Sequence, residues 1–230
     1  MAKSTSAINK SVIFKSLFLV VFVTALVFLC AGKWPYWQGV LYCVLMISMF
    51  LISALFVVHN PDLINERLKP GEGAKTWDKM YLTFSTLLFF ITISLSALDS
   101  GRFKLSSELP AYVYGIVSVT YIAGNLIFAW AKKTNQFFSS VVRIQRDRGH
   151  TVCQDGPYRY VRHPGYLGSF LHTAVTPLLF GSLWGLIPTG IALALMIIRT
   201  ALEDKTLENE LEGYKEYQMK VKYRLIPLIW

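Results

Sequence analysis

Long apolar blocks separated by short polar ones dominate the chain. Six stand out: Val12–Ala31, Tyr36–Val58, Met80–Leu98, Ala111–Ala131, Tyr166–Gly181 and Leu183–Leu202. A membrane-crossing helix needs roughly 20 mostly apolar residues, whereas helices in soluble cores are usually shorter and amphipathic. The pattern therefore predicts an all-α polytopic membrane protein with about six transmembrane helices. The fifth block is short for a full crossing, and Pro177 and Pro188 lie within the last two blocks. Those two form either a spanning pair or a re-entrant hairpin. Asn60–Lys79 carries Pro61, Pro70, Gly71 and Gly73 among mixed charges and reads as a loop with room for one short interfacial helix. Beyond Leu202, the residues Leu207, Leu211, Tyr214 and Val221 recur at helical spacing. That stripe extends the sixth helix out of the membrane, with Glu212, Glu216 and Lys220 on its wetter face.

Composition supports the membrane reading. Hydrophobic residues make up 53% of the 230, charged residues only 16%, and the mean hydropathy is +0.42. The net charge of +9 raises the question of nucleic acid, but topology accounts for it. With the N-terminus in the cytosol, 20 of the 23 Lys and Arg fall inside, leaving only Lys33, Arg102 and Lys104 outside. Both termini and the 132–162 loop are thus expected in the cytosol, and no nucleic-acid partner is needed. Lys3, Lys10 and Lys15 ahead of an apolar run imitate a signal peptide, but no small-residue cleavage site follows, so the run reads as a retained first span. Cys30, Cys43 and Cys153 form no CxxC pair and imply no disulfide framework. The spans hold almost no ionisable residues away from their ends, which disfavours a transporter.

Candidate chemistry concentrates in Arg143–Gly168, a polar, basic stretch between two apolar blocks. Gly156-Pro157 signals a turn. Pro164 favours the first turn of a helix, so the fifth helix is expected to begin there, its free N–H groups facing the loop and favouring an anion. A membrane boundary marked by Arg162 and His163, with Tyr158, Tyr160 and Tyr166 as an interfacial aromatic belt, explains the same residues equally well. His150, Cys153 and His163 are metal-ligand types, but their spacing matches no closed zinc site and no metal is expected. Arg199 and Glu203 are spaced as an i,i+4 pair. His59 and His172 read as an interfacial and an ordinary helix histidine.

The run His150-Thr151-Val152-Cys153, then Gly156-Pro157-Tyr158, then Val161-Arg162-His163-Pro164 and Tyr166, closely resembles the signature of the isoprenylcysteine carboxyl methyltransferase family. Arg199, Glu203, Asp204 and Leu207, followed by Tyr214 and Tyr217, resemble that family's C-terminal element. Related phospholipid methyltransferases have a similar C-terminal half. The resemblance covers about Asn135 to the end. It implies that His150, Thr151, Val152, Cys153, Tyr158, His163, Pro164, Gly165 and Tyr166, joined by Glu203, line a pocket for S-adenosyl-L-methionine. It further implies catalytic roles for Arg199 and Glu203, with Arg199 meeting the methyl acceptor. Asp204 stands where the family has a second Glu, and its shorter reach bears on any role that needs the longer acid.

The expectation is a membrane S-adenosylmethionine-dependent methyltransferase that O-methylates the carboxyl group of a lipophilic, prenylcysteine-like substrate taken from the bilayer. The alternatives are a phospholipid or amine N-methyltransferase and a non-catalytic membrane scaffold. Residues 1–131 would form a four-helix transmembrane region and 132–230 the methyltransferase region. The sequence leaves the oligomeric state open.

Overall fold

A computed structural model describes residues 10–58 and 73–230. The described residues contain helices, turns and coil, with no strand. Their main helices are α1 (Lys10–Ala31), α2 (Trp37–Val58), α3 (Thr76–Ala97, continued by a π-helical turn, Leu98–Phe103), α4 (Ala111–Thr134), α5 (Pro164–Leu179), α6 (Leu186–Glu210) and α7 (Tyr214–Lys220). Five of them, α1 to α4 and α6, are long and apolar enough to cross a membrane. Helix α5 has 16 residues, about 24 Å at the α-helical rise, which falls short of a hydrocarbon core of about 30 Å. It begins at Pro164, where the sequence places a helix start.

The segment expected as a loop, Asn60–Lys79, falls partly outside the described residues, as do its interfacial helix and His59. Its last four residues belong to α3, which starts ahead of the apolar block that announces it. Asp78 in the first turn suits the positive end of the helix dipole.

Helices α4 and α5 make the most extensive helix pair. Their backbones touch at two glycines: a Cβ added to Gly124 would lie 2.7 Å from the Gly168 carbonyl oxygen, and one on Gly168 would lie 2.5 Å from that of Gly124. Between membrane helices, where hydrophobic exclusion supplies no drive, small residues bring backbones close enough for dispersion to hold them. This crossing fixes the start of α5 beside the end of α4. At the opposite end of the bundle, Asp99 accepts hydrogen bonds from Ser106 and Ser182, joining the π-helical turn to the α5–α6 connection. Between these ends, Val27, Tyr36, Tyr42, Ile93, Leu179 and Phe180 belong to the buried core.

The sixth helix does not run on as one rod. It ends at Glu210, and Gly213, in the left-handed region at φ +80°, separates it from α7. Only glycine adopts that conformation without steric cost. The apolar stripe survives the break, because Leu211, Tyr214, Tyr217 and Val221 are buried together against Leu207, Ile144 and Val152. The following segment then runs beside the Arg162-His163 loop, with the Arg162 and His163 amides donating to the Tyr223 and Arg224 carbonyls, each at 2.9 Å.

Candidate active site

After α4 the chain folds into a compact loop around Gln145. This buried side chain donates from Nε2 to the Phe137 carbonyl at 2.7 Å and accepts from Arg148. The Gln145 amide donates to His150 Nδ1 at 3.3 Å, and the His150 amide returns to the Gln145 carbonyl at 3.2 Å. The His150 imidazole packs against Phe137 at a tilt, with ring centroids 4.6 Å apart. Burial, reinforced by Arg143 and Arg148, pushes its pKa down to about 4. His150 is therefore neutral at pH 7 with Nδ1 as acceptor, which is the form its hydrogen bond requires. Further along, Tyr158 is buried at the end of a 3-10 turn, Gly156–Arg159. Burial raises its phenol pKa, and its carbonyl accepts from the Tyr217 hydroxyl at 2.6 Å.

Asp204 is fully buried and binds the loop to the C-terminal elements. Arg162 meets it side-on, Nε to Oδ1 at 2.9 Å and Nη2 to Oδ2 at 3.0 Å. His163 Nε2 lies 3.0 Å from Oδ1, the Tyr214 hydroxyl donates to the same oxygen at 2.8 Å, and Arg224 Nε donates to Oδ2 at 2.9 Å. Gln218 adds a longer contact at 3.3 Å. The shorter acid thus has a structural use. It gathers the histidine-proline loop, α6, α7 and the final segment around one carboxylate. The engagement of His163 Nε2 leaves Nδ1 as the ring nitrogen without a hydrogen bond among the described residues.

Glu203, the preceding residue, accepts a short hydrogen bond from the Tyr166 hydroxyl. Both line a cleft with His150, Thr151, Val152, Cys153, Tyr158, His163 and Gly165. Nine of the ten residues predicted to surround a cofactor are therefore together; Pro164 does not line the cleft. Among the described residues, Glu203 is the one carboxylate in the lining. The Tyr166 and Leu167 amides turn back onto the His163 carbonyl, leaving the Gly165 amide without a hydrogen bond among the described residues. No sequence signal marks the apolar wall formed by Phe137, Phe138, Val141 and Val142. Its residues show no periodicity, because they lie in an irregular loop. Leu207, Leu211, Tyr214 and Tyr217 form another part of the wall; the first three belong to the helical stripe read from sequence as an apolar packing face.

Arg199 does not line this cleft, and its ion pair is not with Glu203. It is buried, with Nε donating to Asp78 Oδ1 at 2.8 Å and Nη2 to the Ser140 carbonyl at 3.0 Å. Its guanidinium carbon lies 4.6 Å from the Tyr81 ring centroid and 5.1 Å from that of Tyr166. Tyr166 belongs to the cleft. Tyr81 lines a separate, mostly apolar cavity of about 270 Å³ among the membrane helices, bounded also by Val23, Tyr42, Met46, Tyr121, His172 and Met196. His172, read from sequence as an ordinary helix histidine, meets Tyr121 there edge-to-face.

Residues 116–209 match the isoprenylcysteine carboxyl methyltransferase family. The match includes most of α4, the Gln145 loop, α5 and nearly all of α6, in agreement with the resemblance of the motifs. A methyltransferase family implies a methyl donor. A protein-S-isoprenylcysteine O-methyltransferase of Schizosaccharomyces pombe is 32% identical over 99 residues, which cover 42% of this chain and 42% of that protein. The chain thus aligns with less than half the length of the relative. Asp78, Tyr81 and Tyr214 lie outside the family match.

Proposed function

We propose that the protein is an integral membrane S-adenosylmethionine-dependent methyltransferase that esterifies the carboxylate of a lipophilic, prenylcysteine-type acceptor. The observation that carries this reading is the placement of Arg199: it stacks on Tyr166 of the polar cleft and on Tyr81 of the apolar cavity. An acceptor with a lipid tail and a carboxylate head matches that sequence of environments. The positive-inside count supports a cytosolic cleft, with residues 132–230 as the methyltransferase region and the first four helices helping to hold the tail.

The lining suits S-adenosylmethionine by charge and shape. Glu203 is an acceptor for an ammonium group, and the Gly165 amide at the start of α5 is a donor for a carboxylate. The Tyr158, Tyr214 and Tyr217 rings in the lining suit a cation, while Phe137, Phe138 and the aliphatic wall suit an aromatic base. When bound, the donor supplies a methyl group activated by a sulfonium.

The chain's own task is then positioning. An acceptor carboxylate of ordinary pKa, about 4, is already ionised at neutral pH, so no residue needs to remove a proton. Arg199 is a charge-assisted clamp for that carboxylate, and holding reactants in line is worth several kcal/mol of the barrier, of order 7–11 kcal/mol at best. Tyr166 joins the two halves, hydrogen-bonded to Glu203 and stacked against Arg199. Titration of S-adenosylmethionine into the purified protein by calorimetry tests the reading. Saturable one-to-one binding is expected, and the absence of binding, as a non-catalytic scaffold would give, overturns it.

A further inference from the structure

Asp78 is a carboxylate that neither the motif pattern nor the family match includes, yet it is wholly buried and has both oxygens engaged. Oδ1 accepts from Arg199 Nε at 2.8 Å, and Oδ2 accepts from the Val142 amide at 2.7 Å. Val142 lines the polar cleft, and its carbonyl accepts from the Lys75 amide at 3.3 Å. Two residues earlier, the Ser140 carbonyl accepts from Arg199 Nη2. The start of α3 therefore holds both the arginine and the Ser140–Val142 strap. A second tie across the same gap, Lys75 to Glu210 at 2.6 Å, links α3 to the end of α6.

We propose that Asp78 is a positioning residue for the acceptor, fixing the plane of Arg199 so that its remaining N–H groups present to a carboxylate entering from the apolar cavity. This rests on the methyltransferase reading above. Three features support it. Arg199 Nε is held by Asp78 and Nη2 by the Ser140 carbonyl, and the Tyr81 side chain also hydrogen-bonds the guanidinium, which leaves its remaining N–H donors for a carboxylate. The guanidinium also lies near the Tyr81 and Tyr166 rings, which limit its rotation. Finally, a buried ion pair is a poor source of net stability, since desolvation offsets most of the attraction; a fixed orientation is the better account of its presence.

A neutral analogue separates positioning from general support. The full chain in detergent is assayed with labelled S-adenosylmethionine and N-acetyl-S-farnesylcysteine as acceptor, with the corresponding carboxamide as a competing ligand that offers no carboxylate to Arg199. Asp78→Asn is expected to raise the KM for the carboxylate acceptor at least about tenfold, because the guanidinium loses its charged anchor. The inhibition constant of the carboxamide and the calorimetric affinity for S-adenosylmethionine should each move less than about threefold, since neither depends on a carboxylate reaching Arg199. Asp78→Glu, which keeps the charge, should recover part of the KM. If Asp78→Asn weakens acceptor and carboxamide alike, or weakens neither, Asp78 has no orienting role and the proposal fails. Should Asp78→Asn not fold, the same selective loss in smaller measure is required of Asp78→Glu, and equal loss for both ligands sinks the idea. Wild-type protein that binds no S-adenosylmethionine overturns the underlying methyltransferase reading instead.

Discussion

Arg162 and Asp204 form a side-on, two-pronged ion pair with both side chains buried, and the same carboxylate also holds His163, Tyr214 and Arg224. One residue away, Glu203 faces the cleft. Two successive acids on one helix thus do different work: Asp204 assembles the site's frame, and Glu203 lines its interior.

Removing the Asp204 charge leaves the buried Arg162 without its counter-ion. Breaking such a pair costs about 3–5 kcal/mol, and for a chain of this size that lowers Tm by roughly 6–20 °C. Thermal unfolding of Asp204→Asn in detergent measures it. A Tm equal to that of wild type would show that the frame does not depend on this carboxylate.

Acid should loosen the Gln145 loop. The His150 pKa is about 4 in the folded protein and about 6.5 for the free side chain. Below pH 6.5 the unfolded chain binds the proton more readily, so this contribution to stability is complete above about 6.5 and is lost as pH falls through about 4. Burial is the leading cause, and protonating Nδ1 also removes the acceptor for the Gln145 amide. His150→Asn keeps an acceptor without titrating in this range. Melting temperatures between pH 7 and pH 4 should fall more steeply for wild type than for His150→Asn; parallel curves would refute the assignment.

The α4–α5 crossing makes a sharp steric prediction. A side chain at Gly168 runs into the Gly124 carbonyl and the Phe128 amide, 2.5 and 2.6 Å from the added Cβ. Gly168→Val should therefore cost at least about 1–3 kcal/mol and weaken cofactor binding by displacing the start of α5. Gly190 on α6, whose added Cβ meets nothing within 4 Å, is the control, and Gly190→Ala should fold and bind normally. Equal behaviour of the two variants would mean that the crossing is not tight.

Glu203 and Arg199 should separate kinetically. Glu203→Gln keeps the size but removes the charge opposite an ammonium group, and should weaken S-adenosylmethionine about tenfold or more by calorimetry. Arg199→Ala should leave that affinity within about threefold and reduce turnover much further, because its partner is the acceptor. The opposite pattern would reverse the two roles.

How much of this was legible in the sequence depended on the kind of signal involved. Apolar runs announced the membrane helices, and Pro164 announced the start of α5, because span length and proline geometry are local properties. The short fifth block foretold a helix of only 16 residues. The break at Gly213 was hidden, since the stripe through Leu207, Leu211, Tyr214 and Val221 keeps its helical spacing across the interruption. The motif residues around His150 and His163 proved to share one cleft, but their partners did not announce themselves. Asp78 meets Arg199 across 121 positions, and its pairing follows from the packing of α3 against α6, which no local pattern encodes. Phe137 and Phe138 were likewise unreadable, being aromatic residues in an aperiodic loop.

Methyl transfer to a carboxylate forms an ester, and the lability of that bond distinguishes it from methylation of an amine. Purified protein is incubated with S-adenosylmethionine labelled in the methyl group and with N-acetyl-S-farnesylcysteine, and the product is treated with base. A methyl ester hydrolyses and releases the label as volatile methanol, whereas an N-methyl group retains it. Wild type is expected to transfer the methyl group and to give base-labile label in the product, with both signals lost in Arg199→Ala. Label that survives base, or no transfer at all, would contradict methyl transfer to a carboxylate.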